Sequence, residues 1–134
     1  MKIIITGGRQ SNSSLSYFNK EWSNGVRGVI FEYDTDSKKI EEKFVYETPE
    51  ELRPKNDYSI SFKSGSIHQG KLYVTTLTEI LILSLPDYKI IDKISLNIFN
   101  DLHHVIYEKG FLYIVVTGLD LSLIHISEPT RHSA

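Results

Sequence analysis

Short apolar runs alternate with turn residues along residues 2–120. The runs are rich in Ile, Val, Leu, Tyr and Phe and are broken by Gly, Asn, Asp, Ser and Pro, a pattern typical of short β-strands joined by tight turns. The strands that it predicts are IIIT, VRGVIFEY, KIEEKFVYE, SGSIH, KLYVTTLT, EILILSL, KIIDKISL, HHVIY and FLYIVVTG. One helix-start signal, Thr48-Pro49-Glu50-Glu51 with Thr48 as the N-cap, predicts a single helical turn before Pro54. We therefore expect an all-β fold.

The chain contains an internal repeat at an offset of 40 residues. The segment ISFKSGSIHQGKLYVTTLT, residues 60–78, aligns without a gap with NDLHHVIYEKGFLYIVVTG, residues 100–118, and the alignment pairs Gly70 with Gly110. Each copy predicts a hairpin, because a strand reaches a turn that ends in Gly and a second strand leaves as aliphatic-Tyr-aliphatic.

A second repeat has an offset of 50 residues and pairs IFEYDTDSKKIEEKF, residues 30–44, with ILILSLPDYKIIDKI, residues 80–94. This unit also predicts a hairpin, in which an apolar strand leads through a turn containing Asp into a strand that opens Lys-Ile. The two hairpins follow each other along the chain, so together they make a unit of about 40 residues with four antiparallel strands. In this alignment IIIT is the second strand of the first unit.

A repeat of this length is typical of β-propeller blades. The chain resembles the β-propeller superfamily over residues 2–120, and Asn-Asp-x-His-His-Val followed by Gly-x-Leu-Tyr-x-x-x-Thr-Gly is similar to the blade starts of quinoprotein-like and arylsulfotransferase-like propellers. The resemblance implies a partial β-propeller of four-stranded antiparallel blades, with roughly two blades present. Blade 1 would span about 2–47, blade 2 about 59–96 and half of blade 3 about 100–120.

Composition narrows the classes of partner. The chain has 134 residues, 40% of them hydrophobic and 24% charged, which is typical of one globular domain. A formal net charge of -2 without clustered Lys or Arg argues against a nucleic-acid partner. No run approaches the ~18 apolar residues of a membrane span. The absence of cysteine and of a signal-peptide core leads us to expect a cytoplasmic location.

The last residues, 121–134, break the repeat. The stretch LSLIHISEPTR resembles the translation of a transposase mosaic-end adapter used in sequencing libraries, over eleven consecutive residues. A genuine strand followed by a proline turn is the alternative, because the segment alternates apolar and polar residues. We expect a non-native tail, which excludes His125 and His132 from any site. Since a propeller closes with ~4 to 8 blades, we also expect the chain to be the N-terminal piece of a longer protein.

Asn100, Asp101, His103 and His104 form the densest cluster of ligand-type side chains, at the entry to the third predicted blade. The first strand of a blade is innermost in propellers, so the resemblance implies that its start, and with it Asp120, lies near the central channel where ligands bind. Adjacent strand residues face opposite sides, so the two histidines do not form a metal clamp. We favour the alternative that Asn100-Asp101 makes a turn, that the histidines satisfy buried backbone groups and that Asp120 ends a strand.

These observations leave two hypotheses of function. The first is a binding or scaffold propeller whose ligand is a small molecule, a glycan or a protein. The second is a propeller enzyme, a transferase, lyase or hydrolase, that uses His103 or His104 with Asp101 at the channel. No complete catalytic constellation and no cofactor can be assigned from the sequence. Polar residues repeated in later blades at the positions equivalent to 100–104 would favour the enzyme.

Overall fold

The computed structural model describes residues 1–9, 27–53 and 60–118 in full, and the backbone of residues 121–127 and 132–133. The chain divides into two compact units, Met1–Phe62 and Lys63–Ala134. All regular elements in the described residues are β-strands, apart from one turn of 3-10 helix. In this part of the chain no helix is long and apolar enough to cross a membrane.

The first unit is a three-stranded antiparallel sheet in the order β1-β2-β3. The strands span Lys2–Arg9, Arg27–Asp34 and Lys39–Tyr46, as the alternating pattern predicts. On one face of the sheet the rings of Phe44, Tyr46 and Phe62 stack with centroids 6.1 to 6.2 Å apart. Phe62 is held there by its backbone N–H, which donates to the Gly7 carbonyl at 3.0 Å. Aromatic burial therefore stabilises this face.

The predicted helical turn is present as a 3-10 turn at Glu50–Leu52, but its predicted cap is wrong. Pro49 occupies the N-cap position, and no side chain caps the turn. Thr48 lies one residue too early, and its hydroxyl is buried without a hydrogen-bond partner among the described residues. Its carbonyl accepts a 2.8 Å hydrogen bond from the Arg53 guanidinium. Proline fixes the backbone that enters the turn, so a capping side chain is not required.

The second unit contains a sheet in which β4 to β7 are consecutive antiparallel neighbours. These strands span Gly65–His68, Lys71–Thr75, Ile80–Ser84 and Lys89–Ser95. A short strand, β11 at His132–Ser133, pairs parallel with the outer edge of β7. The four antiparallel strands fall within the region where the sequence predicts a complete unit of four.

A further sheet of the second unit has the order β10-β9-β8 and is antiparallel. Its strands span Leu102–Glu108 (β8), Phe111–Val116 (β9) and Leu121–Ser127 (β10). The tail residues thus contribute the backbone of a third strand, where the sequence analysis expects only two native strands. Any extended segment can pair with an open strand edge, whether it is native or derived from an adapter. The pairing of β10 therefore does not decide the origin of the tail, and the adapter interpretation stays a prediction.

The two sheets of the second unit pack face to face. Tyr73, Ile80, Ile82 and Ile94 from one sheet form a single buried cluster with the residues of the other sheet and its approach, namely Phe99, Leu102, Val105, Leu112, Ile114 and Val116. On β9 the buried residues alternate with more exposed ones, since successive side chains point to opposite faces, whereas β5 and β6 are buried on both faces over most of their length. Apolar burial between the sheets is the main stabilising contribution to this unit.

Turn geometry repeats at both offsets found in the sequence. Gln69 and Gly70 have φ of 46° and 73°, and Lys109 and Gly110 have φ of 50° and 85°, as a two-residue type I′ hairpin turn requires. The longer turns also match, because the N–H groups of Lys38 and Tyr88 each donate to the carbonyl four residues earlier at 2.7 Å. The predicted all-β fold class is confirmed, and the antiparallel sheets are consistent with a partial propeller-like fold.

Candidate functional site

Ser64 and His104 lie side by side at one end of the second unit. Ser64 immediately precedes β4, and His104 is the third residue of β8. The Ser64 Oγ and the His104 Nδ1 are 2.6 Å apart and share a hydrogen bond whose donor depends on the imidazole tautomer. Both side chains are half-buried. The pair is therefore held in place while it keeps some access to solvent.

The two residues occupy equivalent positions of the 40-residue repeat. Close by, the Ser66 hydroxyl donates to the Val105 carbonyl at 2.7 Å, so the starts of β4 and β8 lie next to each other. The hydrogen bond between Ser64 and His104 therefore joins the two sheets of the second unit at the starts of β4 and β8.

Asp101 forms a turn at the same end of the unit. Its φ is 58°, in the left-handed region that Asp tolerates better than most residues. The Thr117 hydroxyl donates to the Asp101 carbonyl at 3.0 Å and to its carboxylate at 2.8 Å. The Gly118 N–H donates to the Asn100 carbonyl at 3.0 Å, and a Cβ on Gly118 would lie 2.6 Å from Asn100. Asn100 and Asp101 thus have clear structural roles.

The two histidines have different surroundings. His103 is exposed, and its Nε2 lies 3.3 Å from the Asp101 carboxylate. His104 instead contacts Ser64. The β8–β9 register shifts between Leu102 and His104, so His103 is the extra residue of a β-bulge. Bulges redirect side chains locally, and they are frequent beside binding sites. The last predicted site residue, Asp120, lies outside the described residues.

The structure also contains a buried carboxylate that the sequence did not single out. Glu79 is 0% exposed, and its carboxylate lies 3.5 Å from the Lys93 ammonium group, which is 31% exposed. The Thr76 hydroxyl accepts hydrogen bonds from the N–H groups of Glu79 and Thr78 and thereby closes the turn between β5 and β6. The Ser95 hydroxyl donates to the Thr78 carbonyl at 2.8 Å. This network stabilises the turn, and its charge is paired internally.

Ser64 was missed by sequence reasoning, although a signal was present. In the alignment at an offset of 40 residues, Ser64 is equivalent to His104. A candidate site residue in one copy of the repeat therefore indicates the equivalent residue of the other copy as a second candidate. Serine alone gives no indication of chemistry, because it is common in turns and at strand ends. Only the position of Ser64 in the repeat indicates that it is a candidate site residue.

A serine hydroxyl at hydrogen-bond distance from an imidazole can bind a polar ligand, and it can also act as an activated nucleophile. Activation is usually supported by a third group that orients the imidazole. Among the described residues, no carboxylate is hydrogen-bonded to His104, since Asp101 pairs with His103. The same residues contain no group of three or more His, Cys, Asp or Glu side chains that could hold a metal ion.

No protein-family model matches this chain, and a search of curated proteins finds no match to it.

Proposed function

We propose that this chain is part of a β-propeller that binds a ligand at the inner end of its sheets, beside Ser64 and His104. The proposal is carried by one observation, the 2.6 Å hydrogen bond between two residues that the 40-residue repeat makes equivalent. Equivalent residues of neighbouring blades surround a common axis in such a fold, and ligands of propellers bind around that axis.

The chemistry of the site suits an uncharged polar ligand. A hydroxyl group and an imidazole both donate and accept hydrogen bonds, and Asp101 nearby is engaged with Thr117. A small molecule, a glycan or a protein loop offers matching groups. The overall charge of -2 continues to argue against nucleic acid. We also propose that the protein is cytoplasmic, since its sequence contains no cysteine.

The binding proposal is tested by titrating the protein with a panel of mono- and oligosaccharides and small metabolites while recording amide NMR shifts. We expect perturbed amides around Ser64 and His104, and affinity at least tenfold weaker in the Ser64→Ala/His104→Ala double variant. His68→Ala, at the other end of β4, is the matched control and should retain affinity. Perturbations confined to the turns at Gly70 and Gly110, or unchanged affinity in the double variant, would exclude the site.

A propeller enzyme is the second candidate, and the contact between Ser64 and His104 favours it specifically. In this mechanism His104 accepts the Ser64 proton as Oγ attacks an activated ester, an acyl-Oγ bond forms, and the alcohol leaves with that proton. Water then hydrolyses the acyl-enzyme. The probe is p-nitrophenyl acetate. Burst release of nitrophenol that is lost in Ser64→Ala would favour the enzyme, and equal rates in both proteins would leave only binding.

A further inference from the structure

The turn between β5 and β6 contacts both chain segments that carry the candidate site. Thr75, at the end of β5, donates its backbone N–H to the Ser64 carbonyl at 3.0 Å. Within the turn, the Leu77 carbonyl accepts a hydrogen bond from the Leu102 N–H at 3.1 Å, and Leu102 begins β8 just before His104. One turn thus fixes the backbone beside Ser64 and the backbone beside His104.

Glu79 closes this turn with its backbone and with its side chain. The Thr76 N–H donates to the Glu79 carbonyl at 2.9 Å, and the Glu79 N–H donates to the Thr76 hydroxyl at 3.0 Å. The same hydroxyl donates to a Glu79 carboxylate oxygen at 3.4 Å. Both side chains are buried, so water does not compete for these groups. The carboxylate therefore orients the hydroxyl that holds the turn closed.

The repeat itself does not require a charge at this position. The two repeat alignments, extended by one residue, pair Glu79 with Val29 and with Leu119. Both of these residues are apolar, and Val29 is buried like Glu79. Burying a carboxylate has a desolvation cost that an ion pair, here with Lys93, often does not offset. Glu79 is thus charged at a position where the other copies have an apolar residue.

The contact that the turn supports tolerates little movement. The Ser64 Oγ and the His104 Nδ1 are 2.6 Å apart. A separation of about 3.6 Å is no longer a hydrogen bond, so a displacement of about 1 Å is enough to break this one. Ser64 immediately precedes β4, and β4 is an edge strand with β5 as its hydrogen-bonded neighbour. The position of Ser64 therefore depends on the end of β5 and on the turn that follows it.

We propose that Glu79 is a positioning residue of the candidate site. Its carboxylate, paired with Lys93, keeps the turn closed, and the closed turn holds the Ser64 Oγ against the His104 Nδ1. The connection runs through the backbone of the turn and not through the ligand. This role rests on the proposed function, since it places Glu79 in support of the same ligand site.

The test is nitrogen NMR of the histidine side chains in the whole chain without ligand, because ring nitrogen shifts report the tautomer and the hydrogen bonds of an imidazole. Ser64→Ala gives the signals of His104 without its partner. Glu79→Gln removes the charge and keeps the shape of the side chain. We expect it to move the His104 signals by at least half of the change seen in Ser64→Ala. Glu108→Gln, an exposed carboxylate on the same strand as His104, is the matched control and should leave these signals unchanged.

His104 signals at their parent positions in a folded Glu79→Gln protein overturn the proposal. A role in stability alone would lower the free energy of unfolding without changing the contact between Ser64 and His104 in the folded protein. Circular dichroism and the amide shifts of β6 and β7 report whether the sheet is retained.

A second variant decides the question if Glu79→Gln does not fold. Thr76→Val removes the hydroxyl that joins the turn to the carboxylate and keeps the volume of the side chain. It should move the His104 signals in the same direction as Ser64→Ala, and unchanged signals overturn the proposal. Failure of both variants to fold also overturns it, since the carboxylate would then serve the whole sheet.

The result is separable from that of the ligand titration. A His104 response to Glu79→Gln without any ligand binding would exclude the proposed function, while Glu79 would still position the pair. Ligand binding that depends on Ser64 and His104, with His104 signals unaffected by Glu79→Gln, would overturn the positioning role alone.

Discussion

His103 and His104 are neighbours in sequence, yet one contacts Asp101 and the other contacts Ser64. The alternation of a strand predicts that they face different ways, but it does not predict their partners. The partners depend on the bulge at His103 and on the approach of β4, both of which are tertiary features. A sequence indicates that a polar cluster exists, and long-range contacts then decide which of its members meet.

Asp34 is the residue whose ionisation the fold alters. The Asp36 N–H donates to its carboxylate at 2.9 Å, and this hydrogen bond holds the pKa of Asp34 below its usual range. A lowered pKa contributes stability that is complete above the ordinary carboxyl pKa and is lost as pH falls through the lowered value. We predict that Asp34→Asn shows a smaller loss of stability than the parent protein in this acid range.

The measurement is urea unfolding at pH steps from about 5 down to about 2, which brackets the ordinary Asp pKa. Because Asp34 is at the surface, the difference should be small. Asp87→Asn, an exposed position in the equivalent turn of the second unit, is the control. Identical acid profiles for Asp34→Asn and the parent protein would show that this hydrogen bond does not stabilise the turn.

At the scale of elements, alternation and turn residues were sufficient to predict the strands. Every predicted strand is present, and the repeat offsets correctly match the turns at Gly70 and Gly110. The exact cap of the 3-10 turn was not predictable, because Thr48 and Pro49 are both common at helix starts. Local sequence patterns thus predict where strands and turns lie. Which of two adjacent residues occupies the N-cap position depends on packing.

Gly110 tests the equivalence of the hairpin turns. Its φ of 85° is unfavourable for any residue with a Cβ, so Gly110→Ala should destabilise the second unit by about 1 to 2 kcal/mol. Lys109→Asn should be neutral or stabilising, because Asn tolerates the left-handed conformation that Lys109 adopts at φ 50°. Both changes are measured by urea unfolding. Equal stabilities of the two variants would argue against a type I′ turn.

The packing of the two sheets is tested by a matched pair of isoleucines. Ile114 is 0% exposed in the buried cluster, whereas Ile106 is 43% exposed on the neighbouring strand. Ile114→Ala should cost about 2 to 5 kcal/mol of unfolding free energy. Ile106→Ala should cost less than about 1 kcal/mol, because little apolar area leaves contact. Similar costs for the two variants in urea unfolding would contradict the assignment of the inner face.

At the scale of the whole molecule, the repeat predicts contacts that the positions of the individual strands do not. In the second unit the antiparallel strands of the two copies of the 40-residue repeat lie in two separate sheets, and these sheets share one buried cluster. The repeat also brings Ser64 to His104, a contact between residues 40 positions apart. The ligand could not be predicted, because a serine hydroxyl and an imidazole both donate and accept hydrogen bonds and so suit many polar ligands.

The most direct test of the repeat architecture is to sequence the gene across codon 120 from source DNA that has passed through no transposase library. We predict that the reading frame departs from LSLIHISEPTR and continues in units of about 40 residues, with a polar side chain about forty residues after His104. A frame in the source DNA that encodes residues 121–134 unchanged and then stops would contradict this prediction.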